Sequence, residues 1–287
     1  MKIGFLGTGL MGQAMVKRLL SAQVSAIAYN RTQSKLEPLK EAGAEIANSP
    51  IEAIQASDCL ILMLANADAI KEVILSENVA SSLTNRTVIQ MGTISPSQSR
   101  EIQKAVTEKG GDYLEAPVLG SIPEAKAGQL LVMVGGTKAQ FKKWSGLLQN
   151  FGSEPMLIGE VGTAAAMKLA LNQLIASLTS AFALSLSFVQ RQGVDVEKFM
   201  QILRQSALYA PTFDKKLQRM RDRNYDNPNF PTKHLLKDVD LFLAQGQEIG
   251  INLASLEGVR QIVRKAVELS FSDEDYSAIF SAIDSQD

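Results

Sequence analysis

The residues Gly7-Thr8-Gly9-Leu10-Met11-Gly12 carry the first chemistry the chain offers. They follow the apolar run Ile3-Gly4-Phe5-Leu6 and open an amphipathic stretch marked by Leu10, Ala14, Met15 and Leu19. Strand, glycine turn and helix in that order make a phosphate cradle. The first glycine permits the tight turn, the second lets backbone approach a pyrophosphate, and the third lets the helix pack close to the strand. The helix N-terminus then presents unpaired N–H groups and a positive dipole end to the phosphates. The pattern alone is weak. At the first strand–helix junction, with a second strand following at the right distance, it predicts a dinucleotide site.

The second predicted strand, residues 24–29, ends in Asn30-Arg31-Thr32-Gln33-Ser34-Lys35. An Asp or Glu at such a strand end holds the ribose 2′-OH of NAD. Here Asn30 takes that place and no acid occurs before Glu37. Arg31 follows at once, with Thr32 and Lys35 close by. A carboxylate repels a 2′-phosphate, whereas a guanidinium binds it bidentately. The expected cofactor is therefore NADP(H); the competing reading is a solvated arginine in a turn. Met11, Met63 and Leu64 fall at strand ends, where they either touch the cofactor or fill the core.

A second constellation is Lys168 with Asn172, four residues apart and so on one helix face. Lys168 is the only charged residue between Glu160 and Arg191. A lone lysine on such a helix costs desolvation unless it meets an anion or a cleft. Alternatively it reaches solvent from the helix start. Spacing does not choose between the two.

These residues need elements to hold them. Strand-like runs at 2–6, 25–29, 59–64, 87–91, 112–114, 130–134 and 155–158 alternate with helical runs such as 34–42, 67–73, 96–109 and 138–150. That alternation predicts an α/β, doubly wound Rossmann-type sheet with ligands beyond the C-terminal strand ends. After about Val161 the strand signal stops and helical periodicity continues to the end. The expected domains are 1–160, NADP-binding; 161–192, a long interdomain helix; and 193–287, an all-α substrate and oligomerisation domain.

Composition excludes several classes. At 287 residues with a net charge of −1, the chain shows no basic excess for nucleic acid or an anionic membrane. One cysteine, Cys59, and one histidine, His234, make no metal cluster. With no signal-peptide pattern, a cytoplasmic location is expected. The uncharged stretch 169–189 is long enough to span a bilayer. Its Asn, Gln, Ser and Thr content and the lack of a basic flank point instead to a helix buried between domains or subunits, hence a homo-oligomer, dimer or tetramer. His234 and Asp238 are spaced for a helical hydrogen bond, and the C-terminal acids Asp273, Glu274, Asp275, Asp284 and Asp287 read as a solvated end.

Several motifs recur in one order: Gly7–Gly12 with Met11, Asn30-Arg31-Thr32, Glu115-Ala116-Pro117-Val118-x-Gly120-Ser121, Gly128, Met133-Val134-Gly135-Gly136, Gly162-x5-Lys168-x3-Asn172 and Lys237-Asp238. In them the whole chain resembles the β-hydroxyacid dehydrogenases. The segment Phe230–Asp238 and the Gly120-Ser121 pair are similar to the glyoxylate/succinic semialdehyde reductase branch. The resemblance implies an NADP-dependent oxidoreductase acting on a small aldehyde or hydroxy acid. It places catalytic roles on Lys168, as proton donor to the carbonyl oxygen, and on Asn172, as orienting residue. It places substrate contacts on Gly120, Ser121, Thr93, Phe230 and Asp238, and cofactor contacts on Thr93 and Lys237. Leu119 departs from the small or polar residues frequent at its position. Lys17-Arg18 replaces an Asn-Leu pair and is expected to face outward without function. The alternatives are a 3-hydroxyisobutyrate-type 3-hydroxy acid dehydrogenase, an imine reductase, whose relatives generally lack the lysine, and a silent dinucleotide-binding module.

Overall fold

The computed structural model describes residues 1–285 and divides the chain into two compact units, one ending at Lys168 and the other beginning at Leu169.

The first unit is a nine-stranded sheet in the order β3-β2-β1-β4-β5-β6-β8-β7, with β9 paired to β8. The strands are β1 Lys2–Leu6, β2 Ser25–Tyr29, β3 Glu45–Ile46, β4 Cys59–Leu62, β5 Thr87–Gln90, β6 Asp112–Glu115, β7 Val118–Leu119, β8 Leu131–Gly135 and β9 Met156–Gly159. Every pair from β3 to β6 is parallel, while β8 runs antiparallel to β6 and β7. Side-chain alternation sorts the strands onto two cores. Ile3, Phe5, Cys59 and Ile61 join one apolar cluster, and Leu6, Leu60 and Leu62 join the other. A sheet buried on both faces is what continuous apolar runs such as Cys59-Leu60-Ile61-Leu62 require. Cys59 is core filling, and burial pushes its thiol far above the ordinary range. The two-residue strands β3 and β7 are too short to leave a periodic trace.

Strand order reverses at β1, which has β2 on one side and β4 on the other. That reversal sets the ligand crevice of an open α/β sheet.

The second unit is helical. Among its described residues no strand occurs, only a lone bridge between Pro231 and Asp275. Its core takes Ala176, Phe182, Ala183 and Leu186 from the long helix Thr163–Arg191. Phe213, Leu217 and Met220 come from Pro211–Asp222, Leu235, Val239 and Leu243 from Thr232–Glu248, and Leu256 and Val263 from Ala254–Ala266. These spacings of three, four and seven are single apolar stripes facing a core. Phe182 stacks on Phe213 at 4.7 Å between ring centres.

Three expectations change. The boundary between units falls inside the long helix at 168/169, not at 160/161. Its first turn belongs to the sheet unit, because the Gly162, Ala164 and Ala165 amides donate to Glu115 on β6. Arg18 does not face outward. Its Nε donates to the Asn150 carbonyl at 2.9 Å, and its guanidinium covers Gly128, where an added Cβ would lie 2.7 Å from Nε. The C-terminal acids are not uniformly solvated. Asp275 is fully buried, pairs with Lys216 at 2.7 and 2.9 Å and caps Ser277, while Asp284 pairs with Arg191 and Arg223. Asp287 lies outside the described residues.

Candidate active site

The glycine turn follows β1 as predicted. A Cβ on Gly12 would sit 2.1 Å from the Gly7 carbonyl oxygen, so the helix can pack against the turn only with glycine there. A Cβ on Gly9 would project into open space and fill the cradle a pyrophosphate needs. The helix Leu10–Ser21 begins at Gly9 with no side-chain cap and no acid in its first turn. Its first amides and its dipole are therefore available to an anion. Thr8 is fully buried, and its Oγ1 has no hydrogen-bond partner among the described residues. Open cradle, uncapped helix start and orphaned hydroxyl fit a bound dinucleotide phosphate.

The neighbouring strand ends close around this turn. A Cβ on Gly7 would meet the Met63 carbonyl at 2.3 Å, and one on Gly92 would meet the Leu64 carbonyl at 2.6 Å. The segments after β1, β4 and β5 are thus in contact, which brings Gly7–Gly12, Met63, Leu64 and the half-buried Thr93 to one edge of the sheet. Met11 and Met63 also pack against one core and Leu64 against the other. At the end of β2 the Asn30 Oδ1 accepts from the Thr32 amide at 2.9 Å, a local turn that presents Arg31 outward. Arg31 is exposed and has Glu72 at 3.5 Å, a surface contact of small energetic weight. Thr32 and Lys35 are exposed beside it, and the Lys35 carbonyl accepts from Gln13.

Gly120 and Ser121 lie between β7 and the helix Ile122–Ala127. Gly120 has φ +133, and a Cβ there would meet Leu130 at 2.6 Å, so no other residue fits. Ser121 starts the helix in a capping box: its amide and hydroxyl both donate to the Glu124 carboxylate, at 2.8 and 2.5 Å. The signature Ser-x-x-Glu was legible in Ser121-Ile122-Pro123-Glu124. It means that the Ser121 hydroxyl already serves a carboxylate of the protein itself.

Glu115, on β6, is the residue that sequence reasoning left without a role. It is fully buried. Its Oε1 accepts from the Gly162, Ala164 and Ala165 amides at 2.8, 2.9 and 3.0 Å, and its Oε2 bonds the Ser99 hydroxyl. Gly135, paired with Glu115 across the sheet, leaves room for this: a Cβ would sit 2.4 Å from Oε1. A strand-borne carboxyl thereby fixes the start of the helix that carries Lys168 and Asn172. Both follow within that uninterrupted helix, Lys168 half-buried and Asn172 2% exposed.

In the helical unit, Asn172 Nδ2 donates to Asp238 Oδ2 at 2.6 Å. Lys237 Nζ lies 2.9 Å from Asp238 Oδ1, an ion contact without hydrogen-bond alignment. Asp238 therefore serves Asn172 and Lys237, not His234 as the spacing of four predicted. Burial, with Lys237 and Lys233 adding to it, pushes the His234 imidazole below its ordinary range, which suits no proton donor near neutral pH. Phe230 packs edge-on to Tyr276 at 5.7 Å. Among the described residues no group of three metal-ligating side chains occurs.

A glycine turn with an open helix start, at the reversal of strand order, defines the first unit as a dinucleotide-binding domain. Comparison with known proteins agrees. The model of the NAD binding domain of 6-phosphogluconate dehydrogenase matches residues 2–162, and that of the NAD-binding region of NADP-dependent 3-hydroxyisobutyrate dehydrogenase matches 162–283. The chain is 33% identical to glyoxylate/succinic semialdehyde reductase 1 of Arabidopsis thaliana over 99% of this chain and 98% of the relative. It is 32% identical to the chloroplastic reductase 2 of the same plant, over 98% of this chain and 79% of the relative. The structure of a 3-hydroxyisobutyrate dehydrogenase from Salmonella typhimurium superposes with a TM-score of 0.87 at 23% identity, covering 98% of this chain and 99% of that one. The chain belongs to the β-hydroxyacid dehydrogenase family, NAD(P)-dependent oxidoreductases acting on CH–OH groups.

Proposed function

We propose that the protein reduces small carboxylate-bearing aldehydes, glyoxylate and succinic semialdehyde, to hydroxy acids with NADPH. The observation that carries this is Lys168, the single charge on an otherwise uncharged run of helix between Glu160 and Arg191, held one turn before Asn172. When bound, NADPH supplies the hydride that reaches the carbonyl carbon. Lys168 donates the proton from Nζ to the carbonyl oxygen, and its charge stabilises the alkoxide as it develops. Gly7–Gly12 hold the pyrophosphate against the uncapped helix start. Arg31, with Asn30, Thr32 and Lys35, holds the 2′-phosphate; Met63, Leu64, Thr93 and Lys237 complete the cofactor contacts. Gly120 and Ser121 take the substrate carboxylate, the Ser121 hydroxyl turning from Glu124 to do so. Phe230 bounds the substrate.

The cofactor assignment is supported by a strand end with Arg31 exposed and no acid before Glu37. The substrate class is supported by the two plant reductases. Self-association is supported by the long helix, where Leu174, Leu178, Leu184 and Phe188 are 50%, 38%, 61% and 64% exposed. Light scattering at micromolar concentration tests this, and a monomeric mass refutes it. For the activity, the test is turnover of NADPH and NADH against glyoxylate, succinic semialdehyde, uncharged aldehydes, an imine and, in reverse, 3-hydroxyisobutyrate. Preferential consumption of NADPH with the two carboxylate aldehydes is expected. Preference for the imine, or oxidation of 3-hydroxyisobutyrate alone, overturns the proposal.

A further inference from the structure

We infer that Asp238 is a positioning residue: it locks the Asn172 amide so that the amide oxygen serves as a hydrogen-bond acceptor for the Lys168 ammonium. This rests on the reading of Lys168 as proton donor.

The orientation of the amide follows from its neighbours. Asp238 is 3% exposed and Asn172 2%, so neither has water as an alternative partner. One carboxylate oxygen of Asp238 faces Lys237 Nζ at 2.9 Å and the other faces the Asn172 side chain at 2.6 Å. A carboxylate beside an ammonium accepts hydrogen bonds and donates none. The end of Asn172 that faces it must therefore be the NH2. Turned the other way, two acceptor oxygens would meet at 2.6 Å in a buried place.

With its nitrogen committed, Asn172 has only its oxygen left to offer. That oxygen is buried and has no hydrogen-bond partner among the described residues. A buried, unpartnered acceptor on a side chain fixed at its other end is costly, and in a native fold such an atom calls for a role. Helical side chains lean toward the N-terminus, onto the residue four positions earlier. For Asn172 that residue is Lys168. A carbonyl oxygen there attracts an ammonium and repels a carboxylate. Asn172 therefore offers its oxygen to the proton donor and does not anchor the substrate carboxylate, which leaves that task to Gly120 and Ser121. Asp238, which the family resemblance places at the substrate, acts through Asn172 instead.

The test is a double-mutant cycle on kcat with the preferred aldehyde and saturating NADPH. Asp238→Asn keeps the shape but can donate, so the Asn172 amide is free to turn. It should lower kcat about tenfold with KM nearly unchanged, the loss of one charged hydrogen bond. Asn172→Ala should lower kcat at least as much. In the Asn172→Ala background Asp238→Asn should cost almost nothing further, because its target is gone. Multiplying losses, or a loss confined to KM, would show that Asp238 meets the substrate directly and would overturn the inference. A second readout needs no turnover. Neutron diffraction from deuterated wild-type crystals should show the deuterated Nδ2 amide group of Asn172 toward Asp238, and the oxygen in that place refutes the lock. An enzyme that ignores glyoxylate and succinic semialdehyde fails the proposed substrate class alone, and the cycle is then run on the aldehyde it accepts.

Discussion

Replacing Glu115 by Ala removes one side chain and disturbs the helix that carries Lys168. The magnitude can be worked from the contacts. Three amides at the start of the helix Thr163–Arg191, those of Gly162, Ala164 and Ala165, lose their acceptor, and Ser99 keeps only Tyr113, at 2.9 Å. Loss of a helix cap alone costs about 0.5–2 kcal/mol. Each buried donor left unsatisfied costs about 1–3 kcal/mol. The first figure sets a floor and the three amides together a ceiling, so a loss of about 4 kcal/mol is expected. For a domain of this size that corresponds to a fall in Tm of about 8–16 °C. Glu115→Gln keeps an acceptor oxygen and should lose far less. Its comparison with the wild type also has a sign in pH. Burial pushes the Glu115 carboxyl above its ordinary value of 4.5, against the pull of the Ser99 hydroxyl and the three amides. The folded protein therefore holds this proton to higher pH than the unfolded chain does. Below 4.5 the contribution is fully present, and it is lost as pH rises through the folded value. Glu115→Gln, which does not titrate, should gain on the wild type over that window. Thermal melts of the three proteins between pH 4 and 8 decide the matter. A Glu115→Ala protein melting within about 2 °C of wild type, or a Gln variant that falls further behind as pH rises, would refute the reasoning.

Other residues give sharper functional readouts. Arg31→Ala should raise KM for NADPH about ten- to hundredfold, the worth of a charged bidentate contact, and leave NADH nearly unchanged; equal losses would remove Arg31 from the 2′-phosphate. Ser121→Ala should raise KM for glyoxylate more than for an uncharged aldehyde, whereas equal effects would reduce Ser121 to the cap of its helix. Asp275→Asn strands Lys216, whose ammonium is buried and whose proton affinity burial already lowers. Urea unfolding should show a loss of about 3–5 kcal/mol, and an unchanged midpoint would mean the pair is replaceable by water.

Much of the first unit is legible in the sequence because its signals are local. Strands β1 and β2 fall on the residues expected, since a buried parallel strand is a continuous apolar run ended by glycine or asparagine. The capping box at Ser121 and Glu124 is equally local. The pairings that give the site its geometry are not. Glu115 reaches helix amides 47 to 50 residues on, Asn172 meets Asp238 66 residues away, and Lys216 finds Asp275 across 59. No periodicity encodes such contacts. Arg18 shows the same limit, because its place in the helix suggested solvent while the surface beneath it holds Gly128 and the Asn150 carbonyl. His234 shows the converse: helical spacing offers it Asp238, and Asn172 and Lys237 take that carboxylate instead.

The central claim is that Lys168 supplies the proton. It is tested most directly by kcat for NADPH-dependent reduction of glyoxylate in wild type and Lys168→Ala, with NADPH binding followed separately by nucleotide fluorescence. Removal of the general acid should lower kcat by at least about 10²–10⁴-fold while NADPH binds as before. A Lys168→Ala enzyme with near-normal kcat would contradict the account.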